Sequence, residues 1–290
     1  TAAIARHTNA FKINEDVVIP LERMGEYTDG IEHINIELSL RNKLELLDAL
    51  DTFFNRGSLP LGKSDDAGDI PSAELLEDRV AQAQGLLAEV RAQWTTWLHS
   101  LDRPEPTSRE TYFSLLQDAR LRASWKVQVL KPLQALFAGA AFVPLLDECR
   151  RVHQQVLRGR VWVALHMHAG DGNVHTNIPV NSDNYAMLQT AHEAVARIMA
   201  LARSLGGVIS GEHGIGITKL EFLSDDELKS FADYKQRIDP EGRFNKGKLL
   251  RAPSPDHHPA DLSAAYTPSF GLMGHESLIM QRSEIGAISD

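Results

Sequence analysis

One cysteine, Cys149, stands in 290 residues, so no internal disulfide framework can form and the chain fits a reducing compartment. Cys149 lies on an amphipathic stretch, where a buried core thiol is expected rather than a nucleophile. Long apolar runs are also missing: the longest, Ala135 to Leu146, is too short to cross a bilayer, and nothing from Thr1 onward reads as a signal peptide. The formal net charge of −9 and the lack of a basic run interleaved with aromatics argue against nucleic-acid binding. Neither a dinucleotide fingerprint nor His-Glu-x-x-His occurs, so the commonest nucleotide and metalloprotease arrangements are not offered.

One motif that is present has to be set aside. Gly57-Ser-Leu-Pro-Leu-Gly62-Lys63-Ser64 fits the P-loop pattern, but a P-loop follows a strand and opens a helix. Here Lys43 to Phe54 reads as a helix, and the acidic Asp65-Asp66-Ala-Gly-Asp69 follows where phosphate would sit.

Histidine is what the chain has in useful places. His168-Ala-Gly-Asp-Gly-Asn-Val-His175 lies between the apolar, β-branched runs Val161–Met167 and Thr176–Val180, and Asp171-Gly172 is a strong hairpin signal. A two-residue turn there would pair His168 with His175, and His166 with Asn177, all on one face. Two readings stand at this point: a surface hairpin with incidental histidines, or two imidazoles sharing an ion. The glycine-dense Leu205–Gly216 contains Gly211-Glu212-His213-Gly214, and its glycines allow close approach to a ligand. It is either a solvated turn or the source of a carboxylate, Glu212, which completes a His₂-carboxylate set suited to zinc, manganese or iron(II), with His213 left for proton transfer.

The order His-x-Gly-Asp-Gly-Asn-x-His-x-Asn, then Gly-Glu-His-Gly-Ile-Gly, then Lys235–Pro240 and Asn245–Lys248, resembles the C-terminal domain of the FAD-linked oxidases. That family includes D-lactate dehydrogenases, the glycolate oxidase flavoprotein subunit and D-2-hydroxyglutarate dehydrogenase. Phe11–Pro20 is similar to the strand that opens this domain, and Lys246 departs from the proline usual in the final motif. The resemblance implies His168, His175 and Glu212 as metal ligands, His213 as the general base, and Asn177, Lys12 and Thr1 as substrate contacts. It further implies FAD held mainly by another domain, a small 2-hydroxy acid as substrate, and hydride transfer to flavin. A divalent cation lowers the pKa of a coordinated hydroxyl, so a base near neutrality can deprotonate it. Some long members of the family continue into iron–sulfur domains, so the resemblance implies such an electron-transfer domain as a partner.

These readings give an α+β, ferredoxin-like cap domain: an antiparallel sheet with helices on one face, interrupted by a large helical insertion. Residues 1–65 and 159–250 are its two parts, 66–158 the insertion and 251–290 a linker-like tail in which His257 and His258 are solvated. In the insertion, Leu76, Val80, Ala83, Leu87, Val90, Trp94, Trp97 and Leu101 form a helix-packing stripe, Ser108 is the expected cap of a second helix, and Pro132 and Pro144 are expected to divide the rest. The insertion leaves a face open to oligomer formation. The chain is expected to be an excised fragment without the main flavin domain, inactive by itself, cytoplasmic, and at most peripheral at the inner membrane through partners. The competing class is a non-catalytic cap module with a structural metal, assembled through its helical insert.

Overall fold

A computed structural model describes residues 10–62, 72–216, 219–245 and 249–250. Thr1, Lys63, Ser64, Lys246 to Lys248 and the 251–290 tail lie outside the described residues. The chain is α+β and divides into two compact units, Thr1–Ile31 with Val161–Asp290, and Glu32–Arg160. The 66–158 insertion falls wholly within the second unit, which reaches back to Glu32 in the middle of the long helix α1 (Met24–Phe54).

The first unit is built on a three-stranded antiparallel sheet of order β1-β3-β2, with β1 Ala10–Val18, β2 Ala164–His168 and β3 Asn173–Asn181. Strand alternation divides its residues cleanly. Val17, Val174, Ile178 and Val180 are buried on one face, while Asn14, Asp16, Asn173, His175, Asn177, His166 and His168 share the other. Helix α6 (Tyr185–Ser204) packs on β1 and β3 and buries Met187, Ala191, Ala194, Val195, Ile198, Met199 and Ala202, a stripe at helical spacing. Asn184 caps it by accepting a hydrogen bond from Met187 N at 3.0 Å.

The β2–β3 connection corrects the expected register. His168 pairs with Asn173 and His166 with His175, so the loop is Ala169–Gly172, four residues, and His168 lies diagonal to His175 rather than opposite it. The cause is at Gly172. Its carbonyl accepts from Ile19 N at 2.9 Å, its φ is +73°, and a Cβ there would stand 2.2 Å from Ile19 O. Gly172 is committed to the chain leaving β1, so it does not close a tight two-residue turn. The slip is two residues, which preserves the face of every side chain; a slip of one would have reversed it.

The second unit is helical. After α1 come α2 (Ala73–His99), α3 (Tyr112–Gln117), a π-helical turn (Trp125–Leu130), α4 (Lys131–Leu136) and α5 (Val143–Arg158). The stripe read from sequence is the packed face of α2: Ala83, Leu87, Val90, Trp94 and Trp97 are buried with Leu101 beyond the helix end, and Leu76 and Val80 are partly buried against the same core. Phe53, Phe54, Leu133, Phe137, Leu145 and Cys149 complete it, with Phe54 and Phe137 stacked at 5.7 Å. Burial pushes the Cys149 thiol up to about 12, as expected of a core cysteine. Thr111, not Ser108, caps α3, accepting from Ser114 N at 3.1 Å, while the Ser108 hydroxyl accepts from Glu110 N at 3.3 Å. Pro132 and Pro144 occupy the first turns of α4 and α5, where a missing N–H costs nothing. Gly57 to Gly62 follows helix α1, not a strand, and Gly62 N is spent on Ala141 O at 2.8 Å.

Helix α7 (Asp225–Ile238) of the first unit opens with a full capping box, Ser224 and Glu227, and Arg203 Nη2 reaches Glu227 Oε2 at 2.8 Å. Arg203, then the Ser224 amide and hydroxyl, hold the Glu227 carboxyl down at about 2, below the ordinary 4.5. A depressed carboxyl stabilises the fold fully above its unfolded pKa and loses that contribution as pH falls toward the folded one. Glu227 is half exposed, so screening keeps the gain under about 1 kcal/mol. Carboxyl NMR should show Glu227 titrating near 2; a midpoint at the ordinary Glu value would contradict the cap.

Candidate metal centre

The polar sheet face is organised around Asp16, a carboxylate with no exposed surface in the middle of β1 and directly opposite His175. Beyond α6 the chain turns through Gly206-Gly207, and Val208 forms a two-way bridge with Val18, N to O at 2.9 Å in both directions. That bridge brings the following residues back along β1. Three successive amides, Gly211 N at 2.6 Å, Glu212 N at 2.5 Å and His213 N at 3.2 Å, then donate to one oxygen, Asp16 Oδ2. A Cβ on Gly211 would lie 2.4 Å from Asn173 Oδ1 and 2.9 Å from Asp16 Oδ2, so only glycine allows this approach.

Lys219 closes the arrangement from beneath. Its Nζ is buried, donates to Asp16 Oδ1 and to Asp16 O at 3.0 Å, and lies 3.6 Å from Glu15 Oε2. Burial by itself raises the Asp16 carboxyl, but the Lys219 hydrogen bond, the His213 and Gly211 amides and the Lys219 charge outweigh it and hold it at about 2. Asp16 is therefore ionised across the working pH range.

Fixed in this way, Glu212 faces the hairpin. Its Oε1 is 3.4 Å from His168 Nε2 and its Oε2 is 3.6 Å from His175 Nε2. One ligand atom from each of His168, His175 and Glu212 lies within 4.8 Å of the others, a set able to hold one metal ion. The residues fit the requirement chemically. Burial lowers the His175 pKa, against the raising effect of Glu212 and Asp16, and a neutral imidazole is what a metal needs. His175 is 8% exposed whereas His168 and Glu212 are 50% and 55% exposed, so the buried imidazole lies innermost and the outer side is accessible.

His213 stands beside the cluster, its ring 4.9 Å from His175, with Nδ1 3.8 Å from Asp16 Oδ1. Asn177 lies on the same face, opposite Asn14, and the carbonyl oxygens of both amides are buried without a hydrogen-bond partner among the described residues. Lys12 shares that face but is exposed and opposes Pro179, two pairs beyond the Asn14–Asn177 pair and four beyond the Asp16–His175 pair. Thr1 is outside the described residues. Sequence reasoning missed Asp16 and Lys219. The available signal was the acid pair Glu15-Asp16 inside an otherwise strand-like run, where alternation assigns Asp16 to the histidine face.

Residues 142–249 match the family model described as FAD linked oxidases, C-terminal domain. The glycolate oxidase subunit GlcD of Escherichia coli is 39% identical over 92 residues, 30% of this chain and 18% of that protein. A D-lactate dehydrogenase of Archaeoglobus fulgidus is 40% identical over 87 residues, 29% of this chain and 19% of that protein. The mitochondrial D-lactate dehydrogenase [cytochrome] of Arabidopsis thaliana is 25% identical over 153 residues, 50% of this chain and 26% of that protein. The similarity thus spans about a quarter or less of these relatives' lengths.

Asp16→Asn removes the charge opposing Lys219 and leaves a buried cation with too little compensation. The variant should lose about 3–5 kcal/mol of stability in urea unfolding, the usual cost of breaking a buried pair from one side. A loss within the range of an ordinary surface substitution, about 0.5 kcal/mol, would contradict the role given to Asp16.

Proposed function

With residues 142–249 matching the C-terminal domain of FAD linked oxidases, we propose that this chain supplies the metal- and substrate-binding part of an FAD-dependent 2-hydroxy-acid dehydrogenase or oxidase. The observation that carries the reading is the convergence of His168, His175 and Glu212, beside a separately held His213. The names of the relatives, glycolate oxidase and D-lactate dehydrogenase, favour a small 2-hydroxy acid as substrate.

His168, His175 and Glu212 would hold a divalent cation, zinc, manganese or iron, drawn from two imidazoles and a carboxylate. When bound, such a cation lowers the pKa of the substrate hydroxyl, and FAD accepts the hydride. His213 takes the hydroxyl proton. Asp16 Oδ1 lies 3.8 Å from its Nδ1, and a proton held on that nitrogen would leave Nε2 as the base. Asn177, whose buried carbonyl has no partner among the described residues, orients the polar substrate, and Lys12 offers a positive charge further along the same face. The exposure of His168 and Glu212 supports an open, reactive site over a sealed structural one.

Metal content and turnover separate the assigned roles. The chain loaded with zinc or manganese and desalted should retain about one ion, and Glu212→Ala should release it. His213→Ala should keep the ion and, in the complete flavoenzyme, lower dye reduction about 10²–10⁴-fold at saturating substrate. Equal metal retention by the wild type and a His168→Ala/His175→Ala double variant would overturn the reading, as would a His213→Ala protein that turns over normally.

A further inference from the structure

The hairpin carries a third imidazole on the metal face that the account above leaves without a role. The observed register places His166 directly opposite His175, and such pairs have Cβ atoms about 4.5–5.5 Å apart. The His166 ring centre is 5.6 Å from that of His168 and 5.9 Å from that of His175, against 5.5 Å between His168 and His175. The three rings form a nearly equilateral triangle, and one side of it belongs to two imidazoles whose nitrogens already converge with Glu212. Metal–imidazole bonds of about 2.0–2.1 Å set the rings of two ligands of one ion roughly 5 Å apart. The third ring stands at a similar separation, but its nitrogens lie outside the set within 4.8 Å of one another, so the side chain must turn to bind.

His166 is also free to complete the approach. It is exposed and makes no hydrogen bond or ion pair among the described residues, so rotation between staggered side-chain wells meets no bound partner. His213, the other nearby imidazole, differs in this respect: its amide is bound to Asp16 Oδ2 and its Nδ1 faces Asp16 Oδ1.

We propose that His166 is a further metal ligand, making the donor set three imidazoles and one carboxylate; this rests on the metal-binding reading of the cluster. The added nitrogen donor shifts preference toward zinc, nickel or copper and away from manganese or magnesium. Four protein donors fill a tetrahedral ion but leave a position on a five-coordinate one, so a hydroxy acid can still enter by expansion of the coordination shell.

Zinc K-edge absorption of the loaded 290-residue chain counts the imidazoles, and titration against a chromophoric chelator gives the affinity. The expected result is three imidazoles in the wild type and in His213→Ala, two in His166→Ala, and zinc affinity in His166→Ala lowered about tenfold or more. The wild-type count needs no variant and stands even if His166→Ala fails to fold. Zinc bound through two imidazoles in the wild type, or three persisting in His166→Ala, overturns the inference and leaves the metal reading intact. A wild-type chain that retains no zinc overturns that reading, and this inference with it.

Discussion

The site depends on one buried carboxylate. Asp16 gathers three consecutive amides on Oδ2 and a buried lysine on Oδ1, and so fixes a glycine-rich segment that has no regular secondary structure of its own. Without that anchor, Glu212 and His213 would belong to a mobile turn, and the two hairpin histidines would lack a carboxylate. Burying an ion is costly unless it is paired and its remaining lone pairs are satisfied. Here Lys219 supplies the charge and the backbone supplies the hydrogen bonds, which offset the cost of burial and hold the segment carrying Glu212 and His213 in place.

The same residue stands beside two of the imidazoles. Asp16 Oδ1 lies 3.8 Å from His213 Nδ1, while burial lowers the His175 pKa against the raising effect of Glu212 and Asp16. Neighbouring imidazoles on one sheet face thus acquire different chemical characters from their surroundings. His175 is buried with its ring shielded, and His213 stands at the side, tied to Asp16 through its backbone amide.

Much of this was legible in the chain. Period-two alternation was enough to place His166, His168, His175 and Asn177 on one face, and that conclusion survived an error in register because the error was an even number of residues. The α2 stripe from Ala83 to Trp97 was equally readable, since it needs only helical spacing and apolar side chains. The register itself was not readable. It is set by Gly172 passing over Ile19, a contact between segments about 150 residues apart, and no local turn preference contains that information. Asp16 and Lys219 were hidden for the same reason, because two charged residues 203 positions apart announce a buried pair only once the fold joins them. The α3 cap shows the local version of the problem: the Ser108 hydroxyl accepts from Glu110 N, and Thr111 takes the cap that Ser108 was expected to supply.

Amide hydrogen exchange at Gly211, Glu212 and His213 tests the anchoring most directly. If one carboxylate holds all three N–H groups, they exchange slowly and together, with protection far above that of an unstructured turn, and the protection disappears in Asp16→Asn under conditions where the sheet amides of β3 remain protected. Exchange of the three amides at open-loop rates in the native chain would contradict the account at its foundation.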